Sequence, residues 1–231
     1  MCELDKEDIR SLELFAGIEE TNFNALMRGA YVQNFPPRID LIHENEPPDF
    51  LHVVLSGTVD LFSAWNGRET SMATVRPVST FILAASVRDL PYLMSARTLE
   101  KSRIALIPSQ DVRTVFAMDS AFAQAIVSEL AQNYRSVVKN AKDLKLRTSL
   151  ERLANYLLRQ KARTRSLEFD LTMEKKRLAS FLGMTPENLS RAFKGLEPYG
   201  VRVAGNHIVI TDLKDLTHYA KPNPLIDDYS A

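Results

Sequence analysis

The segment from Ser120 to Leu146 contains neither proline nor glycine, the two residues that most often interrupt a helix. Within it, apolar side chains recur every seven residues in two series, and these are Val127, Tyr134 and Ala141, then Leu130, Val137 and Leu144. Such a repeat fits the a and d positions of a short coiled coil. We therefore predict a long dimerisation helix over residues 119–146. A core helix that packs on its own domain is the alternative.

The residues before this helix change from a helical to a strand-like pattern near position 30. Clustered apolar residues between positions 6 and 28 predict short helices. From there to about residue 110, short apolar runs alternate with turn residues, which is typical of a barrel or a sandwich. Asn66-Gly67 is a strong hairpin signal, because both central residues of a type I′ turn require a positive φ. We predict a β-rich domain over residues 1–118.

The residues after the long helix carry the pattern of a winged helix-turn-helix. Thr172 is expected to cap a first helix, and Gly183 supplies the positive φ that ends it. Thr185 then caps a second helix, with a proline at the first helical position. A short hairpin over residues 201–211 forms the wing. The predicted DNA-binding domain accordingly covers residues 147–231.

The second of these helices presents a polar face suited to DNA. Four side chains spaced i, i+3, i+4 and i+7 fall on one side, and they are Glu187, Ser190, Arg191 and Lys194. A carboxylate accepts a hydrogen bond from cytosine N4, and a guanidinium donates two to guanine. Thr185 and the basic Lys176 complete the predicted DNA-binding set. A plain surface ion pair between Glu187 and Arg191 is the alternative interpretation of this spacing.

Composition and motifs argue against several other classes of protein. The single cysteine, Cys2, leaves no partner for an intrachain disulfide and too few ligands for an iron–sulfur cluster. The 29 basic and 29 acidic residues balance, so net charge does not indicate a partner. No apolar run approaches the roughly 20 residues of a membrane span, and the first residues do not resemble a signal peptide, so we expect a cytoplasmic protein without a membrane partner. Without a nucleophile elbow, a phosphate-binding glycine loop or a metal-ligand spacing, we predict neither an enzyme nor a metal site.

Three stretches of the chain resemble the CRP/FNR family of bacterial regulators, and these are Leu41–Pro47, Phe50–Val59 and Leu178–Arg191. The resemblance implies an α+β chain with a jelly-roll-like, cyclic-nucleotide-binding-type β-roll, a long dimerisation helix and a C-terminal winged helix-turn-helix. It also implies a homodimer that binds double-stranded DNA and, if it activates transcription, contacts RNA polymerase. The pattern Glu-x-x-Ser-Arg is similar to the FNR and DNR branch, which implies a palindrome of TTGA-type half-sites.

The resemblance further implies an effector pocket in the β-roll. In family members that bind a cyclic nucleotide, a Gly-Glu pair holds the ribose and an Arg-Ser or Arg-Thr pair holds the phosphate. Leu83 and Ala84 replace the first pair here, and Met94 and Ser95 stand at the second. Arg97 follows three residues after Met94, on the opposite face of the strand. These five residues form the predicted pocket, and cyclic AMP is not expected to bind.

Three kinds of sensor remain open from the sequence. Haem is one, since the resemblance to the DNR branch implies sensing of nitric oxide and the expected pocket lining is apolar. The lining residues are Phe81, Ile82, Leu83, Leu93 and Met94, and the candidate iron ligands are His43, His52, Met94 and Cys2. A constitutive regulator with a degenerate sensor is the second kind, and a cyclic-nucleotide-responsive regulator is the third.

Overall fold

The computed structural model describes residues 3–228, and the surroundings of side chains from residue 6 onward. The chain divides into two compact units, Met1–Ala131 and Gln132–Ala231, so that the boundary falls inside the long helix. The sequence pattern instead predicts that helix as a segment of its own, and the three domain boundaries stay a prediction.

The first unit contains two antiparallel four-stranded sheets. Its strands are β1 (Tyr31–Phe35), β2 (Asp40–Ile42), β3 (Phe50–Ser56), β4 (Val59–Trp65), β5 (Arg68–Val75), β6 (Ser79–Phe81), β7 (Ser95–Thr98) and β8 (Ser102–Pro108). The sheet orders are β1-β8-β3-β6 and β2-β7-β4-β5. Its helices are α1 (Glu3–Arg10), α2 (Glu13–Ala16), α3 (Glu20–Gly29), α4 (Leu83–Arg88) and α5 (Ser109–Met118). The predicted β-roll and the predicted short helices before residue 30 are confirmed.

Strand β3 is buried on both faces, which explains its nearly continuous apolar sequence. Leu51, Val53 and Leu55 belong to an apolar cluster shared with the helices of this unit. Val54 lies on the other face, in a second cluster to which every strand from β2 to β8 contributes. We call this second cluster the roll interior. One face of the strand therefore supports the helices, and the other lines the roll interior.

The hairpin between β4 and β5 has the predicted turn. The φ angles of Asn66 and Gly67 are 50° and 73°, both positive as a type I′ turn requires. Trp65 comes directly before the turn and is the single tryptophan of the chain. Its side chain is 86% exposed. The hairpin tip therefore presents an aromatic ring to water.

The long helix α6 (Ser120–Leu146) leads into the second unit, which has the predicted winged helix-turn-helix fold. The remaining helices are α7 (Ser149–Thr164), α8 (Lys175–Phe181), α9 (Pro186–Gly195), α10 (Leu213–Ala220) and α11 (Pro224–Asp227). The strands are β9 (Glu168–Asp170), β10 (Val201–Ala204) and β11 (His207–Ile210), in the antiparallel order β10-β11-β9. Among residues 3–228, no helix is both long enough and apolar enough to cross a membrane.

The prediction that Thr172 caps α8 is wrong. The helix begins at Lys175, with Glu174 at the N-cap position. The reason is that the N–H of Leu171 still donates to the carbonyl of Asn206 at 2.9 Å, which continues the pairing of β9 with the wing. Thr172 therefore follows directly on strand-like backbone, and the helix starts three residues later.

Candidate functional site

The turn between α8 and α9 fixes how the second helix leaves the first. The N–H of Met184 donates to the carbonyl of Ala179, and the N–H of Gly183 donates to the carbonyl of Ser180, both at 2.9 Å. This pair of bonds is a Schellman motif, which requires a left-handed residue at the position of Gly183. Gly183 has a φ of 63°, and a Cβ there would lie 2.6 Å from the Leu144 side chain. Backbone and packing therefore both favour glycine.

The first turn of α9 is capped and negatively charged. The hydroxyl of Thr185 accepts a hydrogen bond from the N–H of Asn188 at 3.2 Å, and Pro186 occupies the first helical position. The N–H of Glu187 itself, with help from Thr185 and Arg191, holds the pKa of the Glu187 carboxyl below its ordinary value. Glu187 is therefore ionised at neutral pH and acts only as a hydrogen-bond acceptor.

Helix α9 has one buried face and one exposed face. Leu189, Ala192 and Phe193 pack in the core of the second unit. The predicted base-reading and phosphate-binding residues are all exposed on this helix, and they are Glu187, Ser190, Arg191 and Lys194. The hydroxyl of Ser190 donates to the carbonyl of Pro186 at 3.0 Å, so its oxygen keeps a lone pair for a partner. The structure therefore brings these four side chains together on the open side of the helix.

Basic side chains also lie at the start of α8, the first helix of the pair. Lys176 is exposed in the first turn of the helix. Its neighbour Lys175 places its ammonium 5.4 Å from the ring centroid of Phe193, within the range of a cation–π contact. In the wing, His207 of β11 lies 3.0 Å from the carboxyl of Asp170 on β9. The first contact joins α8 to α9, and the second joins the wing strand β11 to β9.

A buried arginine that the sequence analysis did not single out supports the helix turn. Arg152 on α7 is 7% exposed. Its guanidinium donates to the carbonyls of Leu182 at 2.8 Å, Gly183 at 3.3 Å and Arg147 at 2.7 Å. Two of these carbonyls belong to the end of α8, where no helical N–H is available. Its partners in the turn lie 30 and 31 residues further along the chain, so no local pattern marks Arg152.

The apolar residues of α6 that were predicted to form a dimer interface are largely exposed in the single chain. The exposed fractions are 60% for Val127, 69% for Tyr134, 63% for Val137 and 50% for Leu144, while Leu130 and Ala141 are half-buried. We call these six residues the α6 seam. A row of large apolar side chains open to water is the surface that a partner helix covers in a coiled coil.

The predicted effector-pocket residues do not converge on one site. Leu83 is buried in the cluster shared with the helices, whereas Ala84 beside it is exposed. Met94 packs against the roll interior. The hydroxyl of Ser95 accepts a hydrogen bond from the N–H of Glu44 at 3.0 Å. These four side chains therefore lie in four different surroundings.

Arg97, the fifth predicted pocket residue, is engaged elsewhere. Its Nε lies 2.5 Å from Oδ1 of Asp40, and its Nη1 lies 3.2 Å from Oε1 of Glu69. Its guanidinium carbon also lies 4.3 Å from the ring centroid of Phe62. Ala96, the preceding residue, packs in the roll interior, so Arg97 lies on the opposite face of β7. The carboxylates of Asp40 and Glu69 thus neutralise the positive charge of Arg97, which would otherwise be available to bind a phosphate.

His52 is the buried member of the candidate iron ligands. It is 3% exposed, its ring stacks on Phe81 with centroids 4.9 Å apart, and Nδ1 has no hydrogen-bond partner among the described residues. Burial lowers the pKa of His52 to about 4, so the imidazole is neutral. His43, by contrast, is exposed beside Glu46, with 3.2 Å between Nδ1 and Oε1. Cys2 lies outside the described residues.

The residues present do not fit a haem. The expected apolar lining is divided, because Leu83 packs toward the helices while Leu93 is 83% exposed to water. His52 itself is only 3% exposed, and its ring packs on Phe81 within the first unit. A metal ion bound by side chains alone is a separate case, and residues 3–228 contain no group of three or more histidine, cysteine, aspartate or glutamate side chains that could hold one.

Two family models match the chain. A cyclic nucleotide-binding domain matches residues 32–119, and a Crp-like helix-turn-helix domain matches residues 151–219. Together they cover about two thirds of the sequence. Each model coincides with one of the folded regions described above, the first with the β-roll and the second with the winged helix-turn-helix.

Individual proteins agree with this combination of domains. A CRP-like cAMP-activated global transcriptional regulator of Mycobacterium tuberculosis is 25% identical over 217 residues, which are 90% of this chain and 96% of the relative. The transcriptional activator protein anr of Pseudomonas aeruginosa is 22% identical, over 76% of this chain and 75% of its own. The solved structure of a regulatory protein from Silicibacter pomeroyi DSS-3 is 29% identical, with a TM-score of 0.57 over 96% of this chain and all of the other. The chain therefore has the two domains of a CRP/FNR-type transcriptional regulator, a cyclic nucleotide-binding domain and a Crp-like helix-turn-helix domain.

Proposed function

We propose that the protein is a homodimer that binds a palindromic DNA site and reads TTGA-type half-sites through Glu187, Ser190 and Arg191. The observation that carries the proposal is the exposed polar face of α9, which begins at a capped N-terminus. Recognition helices place their N-terminal residues at base edges in the major groove. A TTGA half-site contains one G·C pair. That pair offers a cytosine amine to Glu187 and two guanine acceptors to Arg191.

Further contacts to the DNA backbone would come from the residues around this face. Lys194 lies on the same side of α9, and Lys176 is exposed at the start of α8. Such cations add affinity without sequence preference. Thr185 lies at the junction of the two helices, where its hydroxyl is already the cap of α9. We therefore assign base reading to the N-terminal part of α9, and phosphate contacts to Lys194 and Lys176. RNA polymerase is a partner if the protein activates transcription.

Dimerisation is proposed through the α6 seam. Val127, Tyr134 and Val137 are each at least 60% exposed in the single chain, although valine and tyrosine at this spacing are typical of a helix interface. Covering them with a second copy of the helix removes apolar surface from water. Two-fold symmetry of the protein then matches two-fold symmetry of the DNA site.

For the sensor we propose that no cyclic nucleotide binds through the usual contacts. Met94 stands where the phosphate-binding arginine belongs, and Arg97 is paired with Asp40 and Glu69. This arrangement is compatible with two kinds of regulator. One is active without an effector, and the other responds to an effector that is not a cyclic nucleotide. The name of the relative from Mycobacterium tuberculosis describes it as activated by cAMP, so a cyclic-nucleotide response is the candidate that must be tested against these two.

The test titrates the purified full-length protein with a labelled TTGA palindrome, with and without cyclic AMP. We expect tight binding that cyclic AMP leaves unchanged. Glu187→Gln should lower the preference for TTGA over a half-site with an altered G·C pair by about 5- to 150-fold, because one bidentate or acceptor contact discriminates by roughly 1–3 kcal/mol. Glu197→Gln, an exposed glutamate outside α9, is the matched control and should behave as wild type.

Three results would count against the proposal. Equal affinity of the wild type for TTGA and altered duplexes would show that TTGA is not the half-site. If Glu187→Gln and the wild type prefer TTGA over the altered half-site to the same degree, Glu187 does not read a base. A large gain of affinity on adding cyclic AMP would establish the nucleotide-responsive alternative for the sensor.

A further inference from the structure

We propose that Asp227 and Arg147 are positioning residues, which hold the helix-turn-helix in a fixed orientation to the second half of α6. The segment that provides this restraint consists of residues 223–228, and we call it the C-terminal strap. The proposal rests on the proposed function, because its consequence is the spacing of two recognition helices in a dimer. Four sets of contacts support it.

The first set joins the strap to the connection between α6 and α7. Asp227 accepts two hydrogen bonds from Arg147, at 2.8 Å from Nη1 to Oδ1 and at 2.6 Å from Nη2 to Oδ2. Its Oδ1 also lies 2.9 Å from Nη1 of Arg159 on α7. The side chains of Arg147 and Asp227 are only 8% and 11% exposed. A paired, fork-like contact of this kind constrains direction as well as distance.

The second set joins the strap to α6 on the side away from the α6 seam. Lys139 and Asp143 are each 7% exposed, although charged side chains are rarely buried without partners. The ammonium of Lys139 donates to the carbonyl of Asp228. Asp143 accepts from Arg147 at 2.9 Å. On a helix of 3.6 residues per turn, both residues lie away from Val137, so the strap leaves the seam open.

The third set continues from the connection to the turn between α8 and α9. The carbonyl of Arg147 accepts a hydrogen bond from Arg152, and the same guanidinium donates to the carbonyls of Leu182 and Gly183. Asp227, Arg147 and Arg152 therefore form one connected path from the strap to the helix turn. Buried polar contacts of this kind often add little stability but select one arrangement over others.

The fourth set is apolar and involves the α6 seam itself. The space where a Cβ of Gly183 would stand is taken by Cδ2 of Leu144, 2.6 Å away. Leu144 is a member of the seam and remains 50% exposed. One leucine thus contacts the helix turn with part of its surface and offers the rest to a partner. The last turn of α6 and the turn before the recognition helix are therefore in direct contact.

The test compares how strictly the wild type and Asp227→Asn require one spacing of half-sites. A binding duplex is first selected from random sequences with full-length wild-type protein. Three labelled duplexes are then titrated, namely the selected palindrome, a palindrome with its halves two base pairs further apart, and a single half-site. We expect Asp227→Asn to reduce the preference for the selected spacing about tenfold, while its affinity for the single half-site stays within about twofold of wild type.

A control and a second variant keep the outcome clear. Asp215→Asn removes the same charge from α10, outside the strap, and should keep the spacing preference of wild type. If Asp227→Asn does not fold, Arg159→Gln removes one of the arginine contacts of Asp227 and should reduce the preference in the same direction.

An unchanged spacing preference in Asp227→Asn would overturn the proposal. So would an equal loss of affinity for all three duplexes, because that result indicates a general structural role. Failure of the wild type to select any sequence would contradict the proposed function, and the positioning role would fail with it.

Discussion

Replacing Arg152 with methionine should loosen the turn between the two helices of the DNA-binding domain. Methionine fills a similar volume in the buried site but donates no hydrogen bonds. The carbonyls of Leu182, Gly183 and Arg147 then lose their donor. The Schellman bonds within the turn remain, so the change acts on the anchoring of the turn and not on its conformation.

The magnitude follows from the number of groups that lose a partner. A buried carbonyl without a donor costs about 1–3 kcal/mol, and three are affected. Part of this loss is offset, because the buried guanidinium itself no longer has to be taken out of water, which costs several kcal/mol per ion. We therefore expect a net loss of about 2–3 kcal/mol at the turn. Since about 1.4 kcal/mol corresponds to a factor of ten, local opening should become about 30- to 150-fold more frequent.

Hydrogen exchange followed by mass spectrometry measures this opening directly. Peptides that cover residues 178–190 should exchange faster in Arg152→Met, whereas peptides from the β-roll should not change. Arg163→Met is the matched control, since Arg163 is exposed at the end of α7 and its guanidinium donates to the side chain of Gln160 at 2.8 Å. Unchanged exchange at the turn, or equal acceleration throughout the second unit, would refute the reasoning.

Three further expectations concern the α6 seam, the cap of α9 and the strap. Val137→Glu should dissociate the proposed dimer, which sedimentation velocity detects, while Arg135→Glu, outside the α6 seam, should leave it intact. Thr185→Ala removes the N-cap and should lower the free energy of unfolding of the second unit by about 1 kcal/mol in urea unfolding. An unchanged free energy of unfolding would contradict the capping role of the Thr185 hydroxyl. Burial alone would raise the pKa of Asp227, but the hydrogen bonds from Arg147 outweigh it and hold that pKa below its ordinary value. The stability difference between wild type and Asp227→Asn should therefore be constant above about pH 4 and narrow as the pH falls further, and a difference that grows in acid would contradict this assignment.

The features that the sequence predicted correctly are those that a few neighbouring residues determine. Asn66-Gly67 specifies a hairpin because the two residues themselves adopt the required φ angles. Thr185 followed by Pro186 specifies a helix start because the cap and the first helical position are adjacent in the chain. The order of strands, long helix and winged helix-turn-helix follows from such local signals. The same order is the one that the resemblance to the CRP/FNR family implies.

The features that the sequence did not predict depend on contacts between distant residues. The start of α8 was misplaced because Leu171 pairs with Asn206 across the wing. The role of Asp227 depends on Arg147, which lies 80 residues earlier. Strand alternation indicates which face Arg97 occupies, but the carboxyl of Asp40 that neutralises it comes from another strand, 57 residues away. Periodicity describes which side of an element a residue occupies, and it does not identify the partner found there.

The single tryptophan at the tip of the β4–β5 hairpin makes this chain easy to observe optically. Because the indole of Trp65 is already surrounded by water, its emission in the folded protein should resemble that of a free indole, and unfolding should shift it little. A surface that covers the tip would instead move the emission to shorter wavelength. Intrinsic fluorescence therefore reports on contacts made by this hairpin and is a poor measure of whether the rest of the chain is folded.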